Sequence, residues 1–513
     1  MNKYFNFKLE NFRVFKESLD IEFPPITILT GPNNSGKTTI IKWFQLLTDA
    51  FKKDIYEDLN LAHPEINIGN FDKAKNNKSR KKSITFEFEN WTFQYSKHPN
   101  NSTYGMLDQL WYNSNKKKKL FRLTSFQESK SHIHPFLFLE YHYKDFLFEE
   151  SLFSDNKFSL EQLIIIRKIF SKYKSKLNSM KMGSPVPTLV TRMLKPSEGI
   201  KDYYRSYKKL VEETTPPSYH INYLKGTFSF LTEQEMKLIA EFHVHVETLV
   251  FKKLTDLIKR SEVLSLNSVF LAPNRGEAMH SFSPFDTAHP LSKILKILVN
   301  NISTTNISRN NEDNFIDKDI LATTKKINKW LEIFGMGNSF ELDTNNPYGR
   351  ITPIIVKNGH KQTLPELGYG YSQLLPIILV TAIYNPSLIS NPQEDIRLFI
   401  SEPEIHLHPN LQSKLGDLFL DYIEDKGNLV IETHSEYLIR KIQYLVALGK
   451  LKPEQVAIYY FKDPNIEDKG KDRISRIHIR EDGSLSDDFG PGFFDEATNI
   501  KFDLLRLKNT KNN

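Results

Sequence analysis

The sequence predicts an α/β protein, a core of strands and helices split by a large, mainly helical insertion. Two observations carry this. The β-branched run Pro25 to Thr30 leads into Gly31, Pro32, Asn33, Asn34, Ser35, Gly36, Lys37, Thr38 and Thr39, which fit the pattern G-x-x-x-x-G-K-[ST] and continue into an apolar, helix-like turn. Further apolar strands ending in polar turns, "RLFISEPEIHLHP" (397 to 409) and "NLVIETHSEYLI" (428 to 439), come only near the end of the chain. One crossover of a parallel sheet needs a dozen or so residues, far fewer than separate these halves.

Composition bounds what such a core serves. Over 513 residues the chain is 39% hydrophobic and 12% aromatic, enough for packed domains. It contains no cysteine, which excludes disulfides, thiolate metal sites and a cysteine nucleophile and accords with a cytoplasmic location. No apolar run reaches the roughly 20 residues of a membrane helix, and "MNKYFNFKLENF" lacks the apolar stretch of a signal peptide. No membrane partner is expected. The net charge is +7, concentrated in residues 73–82 and 116–119. These runs are either contacts for a phosphate backbone such as DNA or solvated loops.

In chain order, strands and the phosphate loop come first, and "SITFEFENWTFQYS" (83 to 96) alternates like a half-buried sheet. Ser159 to Gln162 and Thr232 to Glu235 match the capping box, each followed by apolar residues at helical spacing. "RITPIIVKNG" (350 to 359) returns to strand character, and "VAIYYF" (456 to 461) and "ISRIHIREDGSL" (474 to 485) read as a strand and a hairpin. Four segments are expected: 1–125, the first part of the core; 126–300, the mainly helical insertion; 301–450, the second part of the core; and 451–513, a strand and hairpin extension.

The motifs point to nucleotide chemistry. Backbone N–H groups of the loop and the start of its helix face phosphate oxygens, Lys37 reaches the β- and γ-phosphates, and the Thr38 hydroxyl takes Mg²⁺. A ligand-free strand-to-helix turn is the alternative. Gly368 and Gly370 in "ELGYGYSQLLPIILV" precede an apolar helix and suit either an anion or an ordinary helix start. Glu402, at the end of an apolar strand, is placed to orient and deprotonate a water attacking the γ-phosphate. His406 and His408, two residues apart with no third ligand nearby, read as structural. His434 ends another strand, where a histidine can hydrogen-bond the γ-phosphate or that water.

Together these residues resemble the ATP-binding-cassette superfamily, and within it the stand-alone RecF/SMC/OLD-like ATPases, over about residues 1–72 and 350–513. The resemblance implies an ABC-type ATPase head with ATP as substrate and Mg²⁺ as cofactor, Gly31 to Thr38 as Walker A, and Glu402 as the catalytic glutamate. It makes His434 the switch histidine, places Arg13 of "ENFRVFKES" near the nucleotide, and sets Gly368, Gly370, Ser372 and Gln373 in the signature position. That signature faces the ATP of a second copy, so that ATP is sandwiched in a homodimer or higher homo-oligomer. "SEPEIHLHP" and "FGPGFFDEA" (489 to 497) are most similar to a prokaryotic defence-associated subgroup, including Septu-type ATPase subunits, in which a separate effector nuclease supplies the output. Nothing after His434 resembles the Toprim nuclease domain of OLD proteins. A RecF-like ATPase acting on DNA and a scaffold that scarcely hydrolyses ATP are the alternatives. Two departures stand out: the signature is non-standard around Tyr369, and Ser401 occupies the position before the glutamate that is normally acidic. A serine there reaches Mg²⁺ only through water, and restoring an aspartate is expected to lower the Mg²⁺ requirement. The other reading makes Ser401 a cap of its turn, with Glu404 or a water at the metal.

Overall fold

The computed structural model describes residues 5–53, 58–113, 119–126, 136–141, 160–172, 231–239, 241–242, 245, 249, 252–253, 256–257, 268–276, 279–286, 289–307, 318–344, 349–386, 396–462, 473–490 and 493–511. Ser159 of the first capping box and residues 116–118 of the second basic run lie outside them. Two compact units emerge. The first comprises residues 1–5, 22–48 and 263–513, the second residues 6–21 and 49–262.

The first unit is built on a six-stranded sheet. Its spatial order is Ser268–Leu271, Arg397–Ser401, Asn428–Glu432, Ile26–Thr30, Val456–Phe461 and Ile474–Ile477. The first five strands run parallel and the last antiparallel. Both Ile26–Thr30 and Arg397–Ser401 are buried at every position, as strands covered on both faces must be. The two-residue period assigns the faces. Leu398 and Ile400 join one core with Leu374, Leu375, Leu415 and Leu418, from the helices Tyr369–Ile383 and Pro409–Glu424. Phe399 points the other way, 5.0 Å from the ring of Phe44 on the helix that follows the phosphate loop and stacked 4.6 Å from Phe270. Halves far apart in sequence therefore share one sheet, because Ile26–Thr30 inserts between Asn428–Glu432 and Val456–Phe461.

Helix starts in this unit follow their side chains. Ser435 caps the helix Glu436–Ala447 by accepting from the Leu438 N–H at 3.1 Å. His408 accepts from the Asn410 N–H at 3.4 Å and caps Pro409–Glu424. The expected hairpin at 474–485 forms as the strand Ile474–Ile477 and a bridge from Ile479 to Leu485.

The second unit carries a mainly antiparallel sheet in the order Leu19–Phe23, Phe5–Glu10, Ile84–Phe88, Trp91–Lys97, Tyr104–Asn113, Lys119–Phe126 and Phe136–Tyr141. The last two strands continue the sheet past residue 125, where sequence places the start of the helical insertion. Helices do follow: Leu160–Lys172, and a segment after Thr232 whose capping box closes through Thr232 N–H to Glu235 Oε2 at 2.9 Å and Glu235 N–H to Thr232 Oγ1 at 3.3 Å.

Candidate nucleotide site

The phosphate loop lies at the carboxyl end of Ile26–Thr30 and opens the helix Lys37–Lys53. Gly31 is required where it stands: at φ 134° its position is closed to a Cβ, which would lie 2.2 Å from the carbonyl oxygen of Phe461. Asn34 and Gly36 also take positive φ, so the loop curls and turns its amides inward. Pro32, Asn33 and Asn34 line the outer part of the loop, whereas Ser35, Gly36 and Thr39 are buried. The Lys37 ammonium is buried and donates to the carbonyls of Gly31 at 2.9 Å and Pro32 at 2.7 Å. Burial lowers its pKa, opposed by the charges of Glu432, Glu402 and Glu404.

The strand ends beside it supply the acids and the histidine. Arg397–Ser401 stops at a turn in which Glu402, a non-glycine residue, holds φ 46°. Such a conformation costs on the order of 1–3 kcal/mol and persists only where its surroundings impose it. Here the Glu402 N–H donates to the Glu432 carbonyl at 2.6 Å, and the Glu402 carbonyl accepts from Arg275 Nη2 at 3.0 Å. In the same turn the Glu404 carboxylate accepts from the His434 N–H at 2.6 Å, and burial raises its pKa. The His434 imidazole is pushed down to about 4 by burial first and the charge of Lys37 second, so it is neutral near pH 7.

The structure thus gathers Lys37, Thr38, Ser401, Glu402 and His434 at one end of the sheet. Of the other expected residues, Arg13 lies in the second unit, where its N–H donates to the Ala74 carbonyl at 2.7 Å and its carbonyl accepts from Asn76 Nδ2 at 2.6 Å. Ser372 and Gln373, expected to face a second copy, are buried within their own unit. The Ser372 hydroxyl donates to the Gly368 carbonyl at 3.4 Å, because one turn into a helix buried from Ser372 to Ala382 a side chain meets the core. Between residues 368 and 373, the exposed residues are Gly368 and Tyr369. Gly370 packs closely, since a Cβ there would lie 2.8 Å from the His406 carbonyl oxygen.

Two residues of the site escaped sequence reasoning. Arg275 is fully buried and braces three segments: its guanidinium donates to the carbonyls of Ala272 at 3.1 Å, Gln373 at 3.1 Å, Ser401 at 2.9 Å and Glu402 at 3.0 Å. Burial pushes it down to about 10, still charged at neutral pH. An isolated arginine in "LAPNRGEA" offers no pattern; its neighbour Gly276, where a Cβ would lie 2.6 Å from the Gln373 amide nitrogen, was the only local sign of close packing. The other is Glu432, 2% exposed, whose carboxylate accepts the Thr38 hydroxyl proton at 2.5 Å and hydrogen-bonds Ser401. Burial raises its pKa, against both hydroxyls and Lys37. Its signal was an acid ending a strand, directly after three apolar residues, Leu429 to Ile431.

Oxygen donors of this kind, a threonine hydroxyl and a buried carboxylate beside a phosphate loop, suit Mg²⁺. Among the described residues no group of three or more histidines or acids is arranged to hold a metal. A cation here would take its remaining oxygens from phosphate and water, as Mg²⁺ does.

Comparison with known proteins agrees with this chemistry. Residues 5–439 match the family model described as "AAA ATPase domain", and residues 451–504 match "Protein of unknown function (DUF3696)". No curated protein matches the chain. Solved structures that align include an Smc head bound to the C-winged helix domain of ScpA, at 11% identity over 93% of this chain and 98% of that one, TM-score 0.41. The Smc head domain with an extended coiled coil from Pyrococcus furiosus aligns at 12% identity over 98% and 99%, TM-score 0.31. The SMC head domain from Thermotoga maritima aligns at 10% over 93% and 99%, TM-score 0.31. Scores of this size leave the family match to carry the assignment. No helix among the described residues is long and apolar enough to cross a membrane.

Proposed function

Because the chain belongs to the AAA ATPase domain family, we propose that it binds and hydrolyses ATP at this site, closes into a dimer around the nucleotide, and serves as the regulatory subunit of a prokaryotic antiviral complex whose nuclease is a separate chain. The observation that carries the catalytic part is the convergence of a phosphate loop, Lys37 and Thr38 with Glu402 and His434 at the carboxyl ends of parallel strands. Lys37 holds the β- and γ-phosphate oxygens and Thr38 takes Mg²⁺, which draws charge from the phosphates when bound. Glu402, aimed by its strained turn, accepts the proton of the attacking water. His434, neutral, hydrogen-bonds the γ-phosphate or that water without adding a charge. Gly368 and Tyr369, exposed at the start of an apolar helix, are the surface this chain offers to the nucleotide of a second copy. A triphosphate that bridges both surfaces supplies the differential contact a switch requires. The four-segment organisation and the roles of Arg13, Gly368 and Gly370 belong to this proposal. The defence role rests on the resemblance of "SEPEIHLHP" and "FGPGFFDEA".

The test uses Glu402→Gln, whose amide positions water but takes no proton. With ATP and Mg²⁺ the variant accumulates as a dimer in light scattering, while Lys37→Ala fails to bind nucleotide. No ATP-dependent association in wild type or Glu402→Gln refutes the sandwich, and purification of the native complex without a nuclease refutes the assembly.

One observation favours direct contact with DNA as well. In the second unit a pocket of about 460 Å³ is lined by Lys16, Glu17, Lys78, Ser79, Arg80 and Lys81. Lys16 pairs with Glu17 and Lys81 with Glu10, leaving Lys78 and Arg80 as cations with no acidic partner among the described residues. If they neutralise backbone phosphates, Lys78→Ala/Arg80→Ala weakens duplex binding and lowers the salt slope by about 2. An unchanged slope refutes it.

A further inference from the structure

Resting on the ATP reading, we infer that Glu432 supplies the carboxylate of the Mg²⁺ site, in place of the acid absent at position 401. The register places it there. Arg397–Ser401 and Asn428–Glu432 run parallel with Ser401 paired to Glu432, and residues paired in this way project to the same face. The carboxylate has thus moved one strand sideways, not out of the site. Its surroundings are those of a metal-site acid. The Thr38 hydroxyl donates its proton to Glu432, which leaves the Thr38 lone pairs for a cation. Ser401, on the other side, hydrogen-bonds the same carboxylate and orients it. A polar partner that orients a ligand typically governs metal affinity.

A cation suits these acids as well. Glu402, Glu404 and Glu432 all act on Lys37, and Glu402 and Glu404 on Arg275, so three carboxyl groups meet at this end of the sheet. Burial disfavours the charged form of Glu404 and Glu432, and a divalent ion beside them offsets that cost. Two side-chain oxygens more than nine-tenths buried at the same end of the sheet, Glu404 Oε2 and Ser35 Oγ, have no hydrogen-bond partner. They are acceptors in place for a cation or its water.

The measurement is the dissociation constant of a fluorescent, non-hydrolysable ATP analogue, with Mg²⁺ and with excess EDTA; the ratio of the two is the metal's contribution. Glu432→Gln is expected to weaken binding in Mg²⁺ and so reduce that ratio by about tenfold or more, within the range for loss of a residue that supports a metal, while affinity in EDTA does not fall, since a negative charge beside the phosphates has been removed. Adding Ser401→Asp to Glu432→Gln returns a carboxylate to the paired position and restores most of the ratio. A wild-type ratio in Glu432→Gln overturns the inference and leaves Glu432 as a partner of Thr38 only. Absence of binding by the wild-type protein in both conditions overturns the ATP reading instead. Should Glu432→Gln not fold, Glu432→Asp, which withdraws the carboxylate by one methylene, is measured in its place; a reduced ratio supports the inference and an unchanged one overturns it.

Discussion

Replacing Arg275 by methionine removes a donor fork while nearly keeping side-chain length. Four carbonyls, of Ala272, Gln373, Ser401 and Glu402, lose donors now at 2.9 to 3.1 Å. A buried acceptor without a partner costs about 1–3 kcal/mol, and the lower end applies because each carbonyl has a second lone pair, giving about 4 kcal/mol for the four. Relief from burying a cation offsets part of this, for a net loss of about 2–4 kcal/mol. Differential scanning calorimetry of the full chain reads it in the transition that ATP and Mg²⁺ raise, because a ligand stabilises the unit that binds it. The expected fall is roughly 3–7 °C for a unit of this size. Arg275→Lys keeps the charge but presents one point donor to acceptors on three segments, so it falls between wild type and methionine. A methionine variant whose transition stays within about 1 °C of wild type would refute the bracing role.

Glu402→Gly removes the carboxylate and also the cost of φ 46°, so the protein loses hydrolysis yet unfolds at the same or a higher temperature, by about 1 kcal/mol of stability; a lower melting temperature contradicts the strain argument. Gly31→Ala places a methyl 2.2 Å from the Phe461 carbonyl oxygen and is expected to cost about 2–4 kcal/mol and most nucleotide affinity, measured by urea unfolding and analogue binding. His434 has a folded pKa of about 4 against 6.5 unfolded, so the unfolded chain binds more protons between these values. Its contribution is complete above pH 6.5 and is lost as pH falls towards 4. Wild type should therefore lose more stability than His434→Gln between pH 7.5 and 4.5, and equal losses would show that His434 is not held neutral.

The sequence by itself determined the local elements whose parts are consecutive. The phosphate loop needs a strand before it, glycines within it and a helix after it, and all lie between Pro25 and Lys53. The positions of Glu402 and His434 after apolar strand segments were readable for the same reason, and the strand before Glu402 is buried at every position. Only the tertiary structure decided which strands are neighbours. Sequence read Ser401 as a missing charge because it saw one strand at a time, whereas the parallel register sets Glu432 beside it and Thr38 across from it. Arg275 is a lone cation in its own segment and gains meaning only where the Ser401–Glu402 turn and the Gln373 carbonyl converge on it. Ser372 and Gln373 carried the opposite lesson: a motif position sets residue type, but helix phase against the core turns both side chains inward. Local pattern follows from the periodicities of single elements, while adjacency follows from packing apolar faces distant in sequence.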